Sequence, residues 1–413
     1  MWRMGLNSFT SRLKHQLTND REFVLLLVAG LFIGLAGGIY NSIFPNYLQD
    51  TFGISEFQRG VLEIPREGAG LIVMFVVGLM SFLGDIKLYR VSLILNALGT
   101  LGIAILAPSY GSMIVWLFIF SLGQHLIIPL TPKIIMDLSA TEHYGMRIAR
   151  NSAYAQVATI VGCGIAMLWM MIFPKGYVTM YIFSAAFFII AVIAMFFMRP
   201  DKPDHKRPQF IIRKKYMLFY ALCFANGARK QIFLTFAPWV LVYVFGVKTP
   251  VIALLGIVTG LVMVGTRTIV GRAIDSLGER KVLMAEAMLL VLICLGYGLS
   301  GKFFSVGVTL VIVAGCYVID SSMSVVEMAR YTYMRKIAVA ESDVTPTLST
   351  GTSIDHIASM FIPTLGGALW ALTGSYEPVF LAAAAIAVIN IILTSRIKID
   401  EVSSNYLKTP QRD

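Results

Sequence analysis

The apolar residues of this chain fall into runs of about 20 separated by short polar connections, and that spacing governs what it can fold into. A helix of about 20 residues rises about 30 Å, the thickness of a bilayer's hydrocarbon core. Inside lipid only helices and closed barrels satisfy every backbone N–H and C=O, and these runs lack the period-two alternation of barrel strands. Charged residues make up 14% of the chain, against about 25% in an ordinary soluble domain. The expected fold is therefore all-α and integral to the membrane. Twelve spans are expected, near 23–48, 57–83, 89–108, 112–137, 150–173, 177–198, 215–245, 251–271, 281–300, 305–329, 347–372 and 376–396.

The net charge of +11 could suggest nucleic acid, but its placement points to topology instead. With the N-terminus placed in the cytoplasm, the cytoplasmic segments hold 25 Lys and Arg, and the opposite side holds Arg59, Lys175, Lys248 and Lys302. Basic residues accumulate in cytoplasmic loops, so both termini are expected there, with no nucleic-acid partner. The basic N-terminus leads into a long apolar run without a small-residue cleavage site, which reads as a first span rather than a removed signal. Short loops favour a bacterial inner (plasma) membrane. Cys163, Cys223, Cys294 and Cys316 all lie within apolar runs and read as packing residues, not as a disulfide or metal framework.

The longest polar connection runs from Arg199 to Lys215, with three prolines and a run of charges. It divides the chain into an N-terminal lobe (1–198), a basic linker (199–214) and a C-terminal lobe (215–413), six spans on each side. Two cytoplasmic turns echo each other. Residues 271–281 read GRAIDSLGERK, and 81–90 read SFLGDIKLYR, pairing Asp275 with Asp85 at an offset of 190.

In these turns the chain resembles the major facilitator superfamily of secondary transporters. Its loop pattern, Gly-x-x-x-Asp-x-x-Gly followed by basic residues, is complete at Gly271, Asp275, Gly278, Arg280 and Lys281. The first copy keeps Asp85 and Arg90, with Ser81 and Leu88 where glycine is expected. The resemblance implies two pseudo-symmetric six-helix bundles and alternating access. It also assigns these residues to a cytoplasmic gate, where the aspartate pairs with charges across the bundle. The arginine and Gly-Pro stretches that mark the superfamily's drug–proton antiporters in spans four and five are missing.

Ionisable side chains within spans are costly and usually face a cavity. Glu63, Arg66 and Glu67 share one face of span two, spaced three and four apart. Arg229 and Lys230 lie near the middle of span seven; about 100° separates neighbours on a helix, so one is expected to face the cavity and the other a neighbouring helix. Arg66 and Arg229, one from each half, form the expected clamp for an anion. Tyr40, Asn41, Tyr154 and Gln231 are further substrate-binding candidates. Glu63, Glu67, Asp320, Asp355 and His356 are candidate proton carriers, because burial raises a carboxylate's pKa and histidine titrates near neutrality.

The reading is a secondary transporter, proton-coupled, carrying a small organic anion or zwitterion. Its expected partners are that solute, the bilayer and a coupling proton, and it is expected to be a monomer. Efflux of amphipathic or cationic drugs and a non-transporting receptor or scaffold are the alternatives. No nucleophile–base, metal-ligand or nucleotide-binding pattern points to an enzyme, metal or cofactor.

Overall fold

A computed structural model describes residues 2–80, 83–139, 143–200 and 212–398. Ser81 and linker residues 201–211 lie outside them. The described residues are almost entirely helical: α1 (Trp2–Tyr47), α2 (Glu56–Val61), α3 (Glu63–Leu79), α4 (Asp85–Ile105), α5 (Tyr110–Asp137), α6 (Tyr144–Ile172) and α7 (Tyr177–Phe196). After the linker come α8 (Met217–Trp239), α9 (Thr249–Leu277), α10 (Glu279–Phe303), α11 (Val306–Ser322), α12 (Glu327–Ile337), α13 (Val344–Thr373) and α14 (Glu377–Ser395).

Ten helical segments among the described residues are long and apolar enough to cross a membrane. The two expected spans that fall short are the second and seventh, which carry the polar clusters. Span two breaks at Leu62 into α2 and α3. Pro65 lies three residues beyond and has no N–H to offer, so the ladder is interrupted there. Span ten is also divided, by a 3-10 segment at Met323–Val326 between α11 and α12.

Local chemistry fixes the helix ends. Ser55 and Ser109 each cap a helix reciprocally, with Gln58 and Ser112 as their partners. Gly374 ends α13 in the left-handed conformation, at φ 68°. The halves also repeat in backbone detail that side-chain identity hides. Pro45 and Pro238 each precede a π-helical turn, at Leu48–Phe52 and Val240–Val244, and each turn is followed by a positive-φ glycine, Gly53 or Gly246.

The chain forms two compact units. The first comprises Met1–Phe44 and Ile72–Lys206. Here α4 packs on α5 and α7. A Cβ on Gly34 or Gly38 of α1 would come within 2.4 or 2.2 Å of a carbonyl oxygen on α6, so glycine permits this crossing. The second unit comprises Pro45–Leu71 and Arg207–Asp413, so the end of span one and the first part of span two pack with the C-terminal helices. Its α8 packs on α13 and α14, α10 on α14, and α2 on α13. The α2–α13 crossing is close: a Cβ on Gly60 would lie 2.3 Å from the Pro363 oxygen, and one on Gly367 2.8 Å from the Glu56 oxygen.

Candidate functional site

The second unit gathers most of the ionisable residues found within spans. On the broken span two, Arg59, Glu63, Arg66 and Glu67 follow at spacings of four, three and one. Arg59 Nη1 donates to Glu63 Oε1 at 2.6 Å, and Arg66 Nε lies 3.1 Å from Glu63 Oε2. Arg66 Nη2 lies 3.3 Å from Glu67 Oε1. Gln231 of α8 donates to Glu63 Oε2 at 2.9 Å and to Glu67 Oε1 at 3.5 Å. His356 Nδ1 of α13 lies 3.0 Å from Glu67 Oε2. Two arginines thus balance two glutamates, and span two is tied to α8 and α13 through the carboxylates. Arg59, counted above as an outer-side charge, is 3% exposed and belongs to this network.

Two further groups surround α8. Lys230 Nζ donates to Asp355 Oδ2 of α13 at 2.6 Å, and Asn226 Nδ2 to Asp355 Oδ1 at 3.4 Å. Gly227 makes that approach possible, since a Cβ there would lie 2.6 Å from the Asp355 backbone oxygen. On another face of α8, Arg229 donates to Asp320 of α11 and lies over the Phe233 ring, 5.5 Å from its centroid. A fourth group joins Arg330 of α12 to Glu286 of α10 at 3.3 Å.

These positions correct the reading of span seven. The two cations do diverge, but Arg229 turns into the bundle, its side chain 5% exposed against 7% for Asp320. Lys230, 31% exposed, is the more accessible, as is Arg66 at 26%. The accessible cations are therefore Arg66 and Lys230, while Arg229 is held in a buried pair. Gln231 contacts the carboxylates of the span-two network. Its sequence signal was only its place beside Arg229 and Lys230. Glu286 and Arg330 were missed. The signal for Glu286 was one acid in the apolar stretch MAEAMLLV.

The candidates in the first unit separate differently. Tyr40 is buried and stacks on Phe120 and Phe44, with centroids 4.2 and 5.2 Å apart, so its ring is part of the core. Asn41 is exposed on α1. Tyr154 is 45% exposed on α6, with Arg150 6.0 Å from its ring centroid. His125 hydrogen-bonds within α5 to Ser121.

The gate residues reveal a register error in the sequence reading. Gly84 has φ 75° and ψ 159° and caps the start of α4; Gly278 has φ 82° and ψ 161° and caps the start of α10. The two loops therefore match at an offset of 194, not 190. Asp85 corresponds to Glu279, Lys87 to Lys281, and Ser81 to Asp275. Leu88, taken to replace the glycine, is a buried residue one turn into α4, 1% exposed. Each equivalent acid holds a lysine of its own unit: Asp85 pairs with Lys133 of α5, and Glu279 with Lys336 of α12 at 2.6 Å. An acid in the first turn also complements the helix dipole. Asp275 is exposed near the end of α9 and forms no ion pair with a described residue. Gly271 is within α9 with open space around it, and Arg280 and Lys281 are exposed on the first turn of α10. Arg90 donates to the Met195 and Met198 carbonyls at 3.0 and 2.6 Å, covering the open end of α7.

The Major Facilitator Superfamily profile matches residues 26–343. No curated protein matches the chain. Among solved structures, a point mutant of the nucleoside transporter NupG superposes with a TM-score of 0.72 at 12% identity, covering 91% of this chain and 99% of that one. A D-xylose–proton symporter gives a TM-score of 0.71 at 13% identity, covering 91% and 97%. An inward-facing, occupied bacterial homologue of the human lysosomal transporter Spinster gives 0.66 at 14% identity, covering 94% and 97%. At these identities the likeness concerns the fold.

Proposed function

We propose, from the premise that this chain belongs to the major facilitator superfamily, that it is a proton-coupled secondary transporter of a small organic anion or zwitterion. The observation that carries the proposal is the set of carboxylate–cation pairs within one unit, two of whose cations, Arg66 and Lys230, remain partly accessible. In the state described here each of these cations has a carboxylate partner, so an anionic solute must compete with that partner. Protonation removes the competitor. With Asp355 neutral, Lys230 is released to a solute carboxylate; with Glu67 neutral, only the Nη2 end of Arg66 is released, because its Nε stays on Glu63. One proton and one anion then enter together, and the site carries the same net charge loaded as empty. That economy matters in a low-dielectric interior, where an unpaired charge costs several kcal/mol. His356, against Glu67, is the group through which a proton can reach or leave that carboxylate. Alternating access with both termini cytoplasmic completes the reading.

The test uses proteoliposomes with a trapped pH-sensitive dye, challenged with a panel of carboxylates, amino acids, sugars and nucleosides. The expected result is internal acidification on adding a carboxylate or amino acid, lost in Asp355→Asn. No proton movement with any member of the panel would overturn the coupling. A second reading, an uncharged polar solute, is favoured by the pairing of every central cation, and proton movement with sugars or nucleosides alone would select it.

A further inference from the structure

A cavity of about 380 Å³ opens where α13 ends and α14 begins, about 21 Å along α13 from His356. Its walls include Tyr243, Trp370, Tyr376 and Glu377. Trp370 lies between the two tyrosines, its ring centroid 6.0 Å from Tyr243 and 5.8 Å from Tyr376. Trp239 stacks behind Tyr243 at 5.3 Å and fixes that ring. Trp and Tyr commonly gather at membrane interfaces with their polar ends in the headgroups. That account fits poorly here, because Trp370 and Tyr376 are 4% and 6% exposed and line a concavity.

The carboxylate is the second observation. Glu377 Oε2 is buried and has no hydrogen-bond partner among the described residues. Lys302, on the neighbouring end of α10, forms no ion pair with it among the described residues. A second carboxylate, Glu56 at the start of α2, lies beside the Tyr243 hydroxyl. Aromatic faces present negative potential, and a carboxylate adds a full negative charge. Together they attract a cation that is weakly hydrated and has apolar surface, not a metal ion, which would demand several oxygen ligands.

We infer that this cavity is a binding site for a small organic ammonium group, either free in solution or carried by a lipid headgroup. The site stands apart from the carboxylate–cation pairs of the proposed transport function, and it holds whatever solute the protein moves.

The test is equilibrium dialysis of labelled choline against the full-length protein in phosphatidylglycerol nanodiscs, with 3,3-dimethyl-1-butanol as the uncharged isostere. The expected result is saturable choline binding and none by the isostere. Binding should weaken at least tenfold in Glu377→Gln and in Tyr243→Leu. In phosphatidylcholine nanodiscs, loss of free choline binding identifies a headgroup as the occupant, and retained binding identifies a soluble amine; both outcomes support the site. Equal binding of choline and its isostere by the unaltered protein overturns the inference without relying on any variant. Unchanged choline affinity in Glu377→Gln, at an unchanged melting temperature, overturns it as well.

Discussion

At the scale of single residues, the difference between Arg229 and Lys230 carries the most consequence. Both cations were visible in the sequence, and so was the need for them to diverge on a helix. Their partners were not visible, because local periodicity does not say which helix packs on which face. Asp320 and Asp355 come from helices about 90 and 125 residues further along the chain. The assignment predicts opposite behaviour for the two pairs. Asp320→Ala leaves Arg229 buried without its partner, and removing one member of such a pair costs about 3–5 kcal/mol. Adding Arg229→Leu to that variant should restore much of the loss, read as melting temperature in detergent. Asp355→Asn leaves Lys230 partly hydrated, so stability should fall little. Transport should change instead: solute exchange without a gradient persists while the pH gradient ceases to drive uptake. A melting temperature lowered equally by both aspartate substitutions would remove the distinction.

At the scale of helices, two glycine arrangements were legible to different degrees. The loop pattern was recognised from glycine and aspartate positions, but one strongly matching copy forced a wrong register on the weaker one. Backbone geometry resolves it, since Gly84 and Gly278 share a φ near 80° and a ψ near 160° that side-chain-bearing residues rarely adopt. Replacing either with alanine should cost about 1–3 kcal/mol. Leu88→Gly should also destabilise, by emptying a buried site rather than by relieving strain. The α2–α13 crossing was not legible at all, because nothing near Gly60 in sequence identifies Pro363 as its neighbour. Gly60→Leu drives side-chain atoms into the backbone of α13 and should lower stability by about 1–3 kcal/mol. Gly68→Ala meets only the Met360 side chain, at 3.6 Å or more, and should be tolerated. Equal melting temperatures for these two variants would show that the crossing yields freely.

At the scale of the whole molecule, hydropathy and charge asymmetry sufficed for the class of fold, because the bilayer imposes them on every span. Span two and span seven escaped the simple apolar criterion for the reason that makes them interesting: they hold the charges. Orientation is the remaining consequence of that asymmetry, and it can be tested on the intact chain. Cys163 and Cys294 are buried and Cys223 and Cys316 partly so, giving a low background for thiol labelling. Ser305 is exposed between α10 and α11, and Asp275 is exposed at the other end of the unit, near the end of α9. With both termini cytoplasmic, Ser305→Cys reacts with a membrane-impermeant maleimide added to intact cells, and Asp275→Cys reacts only in inverted vesicles. The opposite pattern would mean that the 25 basic residues assigned to the cytoplasm face outward. It would also place the Asp85–Lys133 and Glu279–Lys336 pairs on the outer side of the membrane.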